Sequence, residues 1–157
     1  MKNWFYLILS ATFIVSDQIS KYWCNTNIQY YERISIVPNW LDLTLVYNKG
    51  VAFSMFSQAS DWIHYIILTL ALLICGYMVY YTFTNRFNNI QKIAGALIIG
   101  GALGNIIDRF LHGYVIDFLL FYHNSFSWPV FNLADSFISI GAFIFIFEGY
   151  AQQRRAY

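Results

Sequence analysis

The amino-acid sequence predicts a mainly α-helical membrane protein, in which four transmembrane helices form a bundle. A small β-sheet and an interfacial loop or short helix are expected at its outer face. Three observations predict this class. Hydrophobic residues make up 59% of the 157 residues, and charged residues only 11%, against about 25% in soluble domains. Aromatic residues reach 21%, and such rings concentrate where a membrane meets water.

Four segments are candidates for crossing the membrane, which takes roughly 20 residues of apolar helix. The clearest is 62–83, which contains no Asp, Glu, Lys or Arg. The others are about 4–23, 93–111 and 133–152, and each carries ionisable residues. We interpret the first as a retained span rather than a cleaved leader, because no cleavage-site pattern follows its apolar run. A single integral membrane domain over 1–157 is therefore predicted.

The basic residues predict how the bundle is oriented. Those that flank one set of span ends are Lys2, Arg86, Lys92, Arg154 and Arg155. Only Arg33 and Lys49 lie in the opposite loop. Because Lys and Arg are enriched in cytoplasmic loops, we expect both termini and the loop 84–92 to face the cytoplasm. The ionisable residues that then fall near the outer surface are Asp17, Lys21, Asp108, Arg109, Asp117 and Asp135.

Two segments outside the spans are predicted to lie at the outer face. The first, 28–58, should form a sheet, because alternating leucines in 41–47 indicate a half-buried strand. The expected partner strand is 34–37, across a turn at 38–39. The second segment, 112–131, is rich in aromatic side chains. We expect it to be a loop or short helix at the level of the lipid headgroups.

The third span carries small and polar residues along one helical face. At about 100° per residue, this face includes Gly101, Gly104, Asn105 and Asp108, with Arg109 at its edge. Small residues let a neighbouring backbone approach closely in lipid, so helix packing is the simplest explanation of the glycines. Packing does not explain the polar residues on this face, because ionisable groups within spans are costly and usually functional.

Two aspartates are predicted to meet at the outer membrane edge. Asp135 lies at the outer start of the fourth span, on one face with Asn132, and Asp117 follows the third span. Structural roles are open to both: Asp135 could complement the helix dipole, and Asp117 could cap a turn. Two carboxylates in a poorly solvated place tend to share one proton. That state suits aspartyl hydrolysis, in which one carboxylate activates water and the other polarises the scissile carbonyl.

Two further groups of residues have simpler structural explanations. Asp17 and Lys21 are four residues apart in the first span, so they can pair across a helix turn and fix the bundle. Ser10 lies on the same face. After the predicted strand, Asn48 and Gly50 are consistent with the end of a hairpin, where glycine serves backbone geometry.

Together these residues form five motifs that resemble those of the lipoprotein signal peptidase, or signal peptidase II, family. In chain order they are Asp17-x-x-x-Lys21, Asn48-x-Gly50-x-Ala52-Phe53, Gly100-Gly101-Ala102-Leu103-Gly104-Asn105-x-x-Asp108-Arg109, Val115-x-Asp117-Phe118 and Phe131-Asn132-x-Ala134-Asp135-Ser136. The resemblance covers nearly the whole chain. One departure is Val51, where the family often has Ala.

The resemblance implies an aspartic endopeptidase, a hydrolase of lipoprotein processing in the bacterial cytoplasmic (inner) membrane. Its substrates would be diacylglyceryl-modified prolipoproteins, cut on the amino side of the lipid-modified cysteine near the outer face. The expected partners besides this substrate are membrane lipids and globomycin-type inhibitors. The resemblance implies no metal and no organic cofactor. The net charge of +1 gives no basic footprint for nucleic acid.

The family motifs also imply a role for each matching residue. Asp117 and Asp135 would be the catalytic dyad. The residues that would bind substrate or support the dyad are Asn48, Asn105, Arg109 and Asn132. Those with structural or supporting roles would be Asp17, Lys21, Gly50, Gly101, Gly104, Asp108 and Ala134.

Two other functions compete on the residues alone. A small transporter or proton-pathway protein would carry carboxylates along the membrane depth. Here they cluster at one edge, with Glu148 as the inner exception. A non-catalytic scaffold would use its polar residues only to lock helices together. It would tolerate the change of either Asp117 or Asp135 to Asn.

Overall fold

The computed structural model describes residues 2–49 and 61–155, in which long helices carry a sheet at one end. In chain order the elements are α1 (Trp4–Asn27), β1 (Arg33–Val37), β2 (Leu41–Asn48), α2 (Asp61–Phe83), α3 (Asn89–His112), β3 (Val115–His123), β4 (Phe126–Ser127) and α4 (Leu133–Arg155). Among the described residues, three helical segments are long and apolar enough to span a membrane: Tyr65–Phe83, Asn89–His112 and Leu133–Arg155. The fourth predicted span, in α1, stays a prediction.

Helix α3 begins four residues before the apolar stretch that predicted it. Its start is set by a capping box, in which Asn88 Oδ1 accepts from the Gln91 N–H and Gln91 Oε1 accepts from the Asn88 N–H, at 2.9 and 3.1 Å. These two bonds satisfy amides that the first helical turn would otherwise leave unpaired. The helix ends at Gly113, whose φ of 76° is the left-handed conformation common after a helix.

Helix α3 is the centre of the bundle and packs against α1, α2 and α4. A side chain at Gly101 would collide with the backbone of Ala134 in α4, and one at Gly104 with the carboxylate of Asp17 in α1. The glycine stripe therefore faces neighbouring helices of the same chain. This close approach brings the polar residues of α1, α3 and the start of α4 together.

The sheet extends further than predicted. The β1–β2 hairpin and its turn at 38–39 are confirmed, whereas the prediction of a loop or short helix over 112–131 is wrong. Most of that segment forms β3 and β4, so the described residues form an antiparallel sheet of order β1-β2-β3-β4. Strand β3 covers the edge that β2 would otherwise expose with unpaired backbone groups. Residues 50–58, the end of the segment predicted as sheet, lie outside the described residues.

Candidate active site

Asp117 and Asp135 reach the same place from different elements. Asp117 is the third residue of β3 and is 2% exposed, and Asp135 is the third residue of α4. Asn132, directly before α4, connects them. Its Nδ2 donates to Asp117 Oδ1 at 2.7 Å, and its backbone N–H donates to Asp135 Oδ2 at 3.3 Å. One asparagine thus contacts both carboxylates.

Asn132 also caps α4 and so helps to position Asp135. The Asp135 N–H donates to Asn132 Oδ1 at 2.9 Å, and the reverse bond to the Asp135 carboxylate completes a reciprocal cap. Asp135 therefore lies in the first turn of α4, at the positive end of the helix dipole. Asp135 therefore has the helix-dipole role that its position in the sequence suggested. It also contacts Asn105 and Asn132 at the site.

Asn105 of α3 links this pair to a buried lysine. Its Nδ2 donates to Asp135 Oδ1 at 2.8 Å. Its Oδ1 accepts from Asn132 Nδ2 at 3.1 Å and from Lys21 Nζ at 2.9 Å. Because the ammonium group can only donate, Lys21 fixes which end of the Asn105 amide faces Asp135.

Lys21 lies between two buried carboxylates. Its Nζ is 2.8 Å from Asp17 Oδ2 and 3.0 Å from Asp108 Oδ2, so the predicted ion pair between Asp17 and Lys21 is present. Both carboxylates also accept from the backbone: Asp17 Oδ1 accepts from the Ala134 N–H at 2.9 Å. Asp108 Oδ2, the same oxygen that Lys21 contacts, accepts from the Ile116 N–H at 3.0 Å. These bonds join α1 and α3 to the start of α4 and to β3.

Gln18 also belongs to this network, although the sequence pattern did not point to it. Its Nε2 donates to Asp108 Oδ1 at 2.9 Å and to the Gly104 carbonyl oxygen at 3.1 Å. Gln18 lies about 100° around α1 from Asp17, so it falls outside the polar face that the helical period identified. Its amide, next in sequence to Asp17, was the available signal.

Asp117 and Asp135 open onto one cavity of about 560 Å³. Asn48, Asn105 and Arg109 also line it. Asn48 Nδ2 donates to Asp117 Oδ2 at 2.9 Å, so both oxygens of this carboxylate accept a bond from an amide. Further lining residues that the sequence did not single out include Pro129, Val130, Ile138 and Ile140. Gly50, also assigned to the site, lies outside the described residues.

The surroundings of Asp117 favour its protonated form. Burial, and after it repulsion from the charge of Asp135, raises the pKa of the Asp117 carboxyl to about 7. The hydrogen bonds from Asn48 and Asn132 oppose this rise. The result is a pair of carboxyl groups with different environments at the same cavity, an arrangement that can hold one proton near neutral pH.

The family model described as signal peptidase (SPase) II matches residues 9–151. The chain belongs to the signal peptidase II family. The lipoprotein signal peptidase of Neisseria meningitidis serogroup C (strain 053442) is 43% identical over 149 residues, which cover 95% of this chain and 91% of that protein. The lipoprotein signal peptidase of Chromobacterium violaceum is 42% identical over 154 residues, covering 98% and 94%.

Solved structures agree with this membership. A structure described as a bacterial membrane enzyme, determined by the in meso method at 2.3 Å resolution, superposes with a TM-score of 0.83 at 27% identity. The match covers 94% of this chain and 88% of that one. A second bacterial membrane enzyme, at 1.9 Å resolution, gives a TM-score of 0.80. The chain is therefore a multi-pass membrane protein of a peptidase family, as its motifs predicted.

Proposed function

We propose that this chain is an intramembrane aspartic endopeptidase that removes the signal peptide from diacylglyceryl-modified bacterial prolipoproteins. The cleaved bond is the one before the lipid-modified cysteine. The observation that carries this proposal is the single asparagine, Asn132, that contacts both Asp117 and Asp135 at one cavity. Relatives named lipoprotein signal peptidase, at 42–43% identity over most of their length, support the substrate class.

The proposed setting is a four-span domain over residues 1–157 in the inner membrane, with both termini in the cytoplasm. Helix α1 has 24 residues, a length of about 36 Å at 1.5 Å per residue. Its polar residues Asp17 and Lys21 are buried, whereas Ile8 and Val15 are exposed, as expected of a helix that faces lipid. A dyad at the outer edge serves a substrate that is anchored in lipid yet needs water.

In the proposed first step, Asp117 holds the proton and Asp135 is ionised. Asp135 takes a proton from a water molecule, and the resulting hydroxide oxygen bonds to the scissile carbonyl carbon. Asp117 gives its proton to the carbonyl oxygen, so a neutral tetrahedral intermediate forms. Asn105 and Asn132 donate to Asp135, so these amides stabilise the carboxylate that acts as base.

In the second step, the intermediate collapses and the carbon–nitrogen bond breaks. The proton on Asp135 passes to the leaving nitrogen, and Asp117 recovers its proton from the intermediate's hydroxyl group. The products are a signal peptide with a free carboxyl end and a lipoprotein with a free α-amino group on its cysteine. Asn48 and Arg109, which line the cavity, are proposed to hold the substrate backbone, and globomycin-type inhibitors to occupy the same place.

The deciding experiment is a gel-shift assay with purified protein and a diacylglyceryl-modified prolipoprotein. Wild type should release the signal peptide, whereas Asp117→Asn and Asp135→Asn should each bind the substrate and fail to cleave it. Glu32→Gln is the matched control, because this carboxylate is exposed near the outer sheet and, among the described residues, bonds to the nearby Gln29 N–H at 2.8 Å. It should cleave like wild type.

The same assay separates the competing functions. A scaffold or a transporter predicts no cleavage by any variant, wild type included. If wild type is active and Asp117→Asn or Asp135→Asn also shows full turnover, the protein is a peptidase but the two aspartates are not its catalytic residues.

A further inference from the structure

A second cavity adjoins the candidate active site on the outer sheet. It has a volume of about 430 Å³ and lies between the start of β2, the end of β3 and β4. Its aromatic walls are formed by Trp40, Phe121, Tyr122, Phe126, Trp128 and Phe131. His123, which also lines it, packs on Trp40 with 4.5 Å between ring centroids. We call this cavity the aromatic groove.

Rings of the aromatic groove are accessible at the surface of the protein. Phe126 is 64% exposed and Phe121 is 48% exposed. Such exposed apolar rings suit contact with an apolar group rather than with water. Pockets of a few hundred Å³ are also the size that binds small apolar ligands.

The groove shares two wall residues with the candidate active site. Trp128 and Phe131 line both cavities, and Phe131 directly precedes Asn132, the residue that contacts both aspartates. A third apolar cavity lies between α1 and the sheet, walled by residues such as Trp23, Leu43 and Phe118. As far as the described residues show, it shares no wall with the site.

We infer that the aromatic groove binds one acyl chain of the lipid-modified substrate. This inference rests on the proposed function. In that reaction the scissile bond precedes the lipid-modified cysteine, so the acyl chains begin a few covalent bonds from the dyad. A chain leaving the cavity past Trp128 and Phe131 enters a surface made of rings. Burial of its methylene groups there contributes to substrate binding, at about fourfold in affinity per fully buried methylene.

The test compares two synthetic prolipoprotein peptides in detergent micelles, one with a dipalmitoyl and one with a dibutyryl glyceryl group. Phe126→Asn should raise KM for the dipalmitoyl peptide by about tenfold and leave kcat at saturation unchanged. The dibutyryl peptide should show no change in either constant. Phe121 lines the same groove from β3. Phe121→Thr should therefore also raise KM for the dipalmitoyl peptide only.

Tyr31→Asn is the matched control. Tyr31 is another exposed aromatic residue near the sheet, and its φ of 63° is a conformation that asparagine tolerates well. It lies outside the groove, so it should change neither KM. A wild type that cleaves neither peptide would refute the proposed function itself, which separates that failure from failure of the groove.

Three outcomes would overturn the inference. Equal effects of Phe126→Asn on both peptides would mean that the groove holds a bulk lipid or only supports the sheet. The same KM change in Tyr31→Asn would mean that the effect is not specific to the groove but is shared by other exposed aromatic rings near the sheet. Unchanged constants for the dipalmitoyl peptide in folded Phe126→Asn and Phe121→Thr would leave the groove without a role in binding.

Discussion

The side-chain amide of Asn132 donates a 2.7 Å hydrogen bond to the carboxylate of Asp117. The two residues are 15 positions apart, and the bond joins the residue before α4 to strand β3 of the sheet. It therefore couples the position of the sheet to the start of a membrane helix. Both groups are almost completely buried, so a variant that loses this bond leaves an acceptor with little access to water.

Two variants of Asn132 should separate its role in capping from its role at Asp117. Neither Asn132→Ala nor Asn132→Ser can reach Asp117, whose carboxyl becomes charged when it gives its proton to the substrate. A hydrogen bond to a charged group contributes about 1.5–3 kcal/mol, so kcat should fall at least tenfold in both variants. Serine still caps a helix, and an N-cap contributes about 1 kcal/mol. Asn132→Ser should therefore unfold at a higher temperature than Asn132→Ala. Wild-type turnover by Asn132→Ser would contradict the role assigned to the bond.

The cleavage rate should depend on the proton held by Asp117. The pKa of this carboxyl is raised to about 7 by burial and by the charge of Asp135. We expect kcat/KM to fall as the pH rises through about 7, because the acid then loses its proton. Asn48→Ala removes a donor that stabilises the ionised form. The alkaline limb of its pH–rate profile should move to higher pH, whereas in Glu32→Gln it should stay; a downward shift in Asn48→Ala would refute the assignment.

The same carboxyl should make the folded protein less stable as the pH rises. Its pKa is raised from 3.8 to about 7, so between those values the folded state binds more protons than the unfolded state. Stability is therefore lost with rising pH, by on the order of 4 kcal/mol from about pH 4 to pH 7. In Asp117→Asn this loss is absent. The difference in Tm, variant minus wild type, should grow between pH 4 and pH 8, and a difference independent of pH would show that Asp117 titrates normally.

Helical periodicity predicted the polar faces of the bundle well. Asn105 and Asp108 share a face of α3, and the structure brings Lys21 of α1 against both. The period of 3.6 residues is a local property, so these faces can be derived from spacing. Gln18 was missed because its contacts depend on where α3 passes, which spacing within α1 does not determine.

The β3 strand was missed for a different reason. From Phe118 to Tyr122 the apolar residues follow one another without alternating with polar ones, so the period of two that identified β2 is absent. Its strand structure comes from pairing with β2, more than 60 residues away in sequence, with Asp117 opposite Val46. Long-range pairing of this kind leaves no local pattern. The bond between Asp117 and Asn132 depends on it and was likewise beyond prediction.

The buried cation Lys21 should be required for folding. In Lys21→Met, Asp17 and Asp108 lose the ammonium group 2.8 and 3.0 Å away, and an uncompensated buried charge costs about 3–5 kcal/mol. We expect Lys21→Met to lower the free energy of unfolding by this amount. Asp108→Asn should destabilise wild type but partly restore stability to Lys21→Met, because it removes one of the unpaired charges. If the stability effects of Lys21→Met and Asp108→Asn simply add in the double variant, the two side chains do not interact.

The close contacts of α3 should make its glycines intolerant of a single methyl group. A Cβ at Gly101 would overlap the Ala134 carbonyl oxygen, which is backbone and cannot move without shifting α4. We expect Gly101→Ala to cost about 1–3 kcal/mol, the usual range for overpacking, and to lower kcat because Asp135 lies one residue beyond Ala134. Gly76→Ala in α2 is the matched control, since nothing lies within 4 Å of its added Cβ. That change should be neutral or stabilising by up to about 1 kcal/mol, because alanine favours helix over glycine. Thermal unfolding in detergent and the gel-shift assay measure both effects, and equal stability of the two variants would mean that α3 and α4 pack less closely than the structure shows.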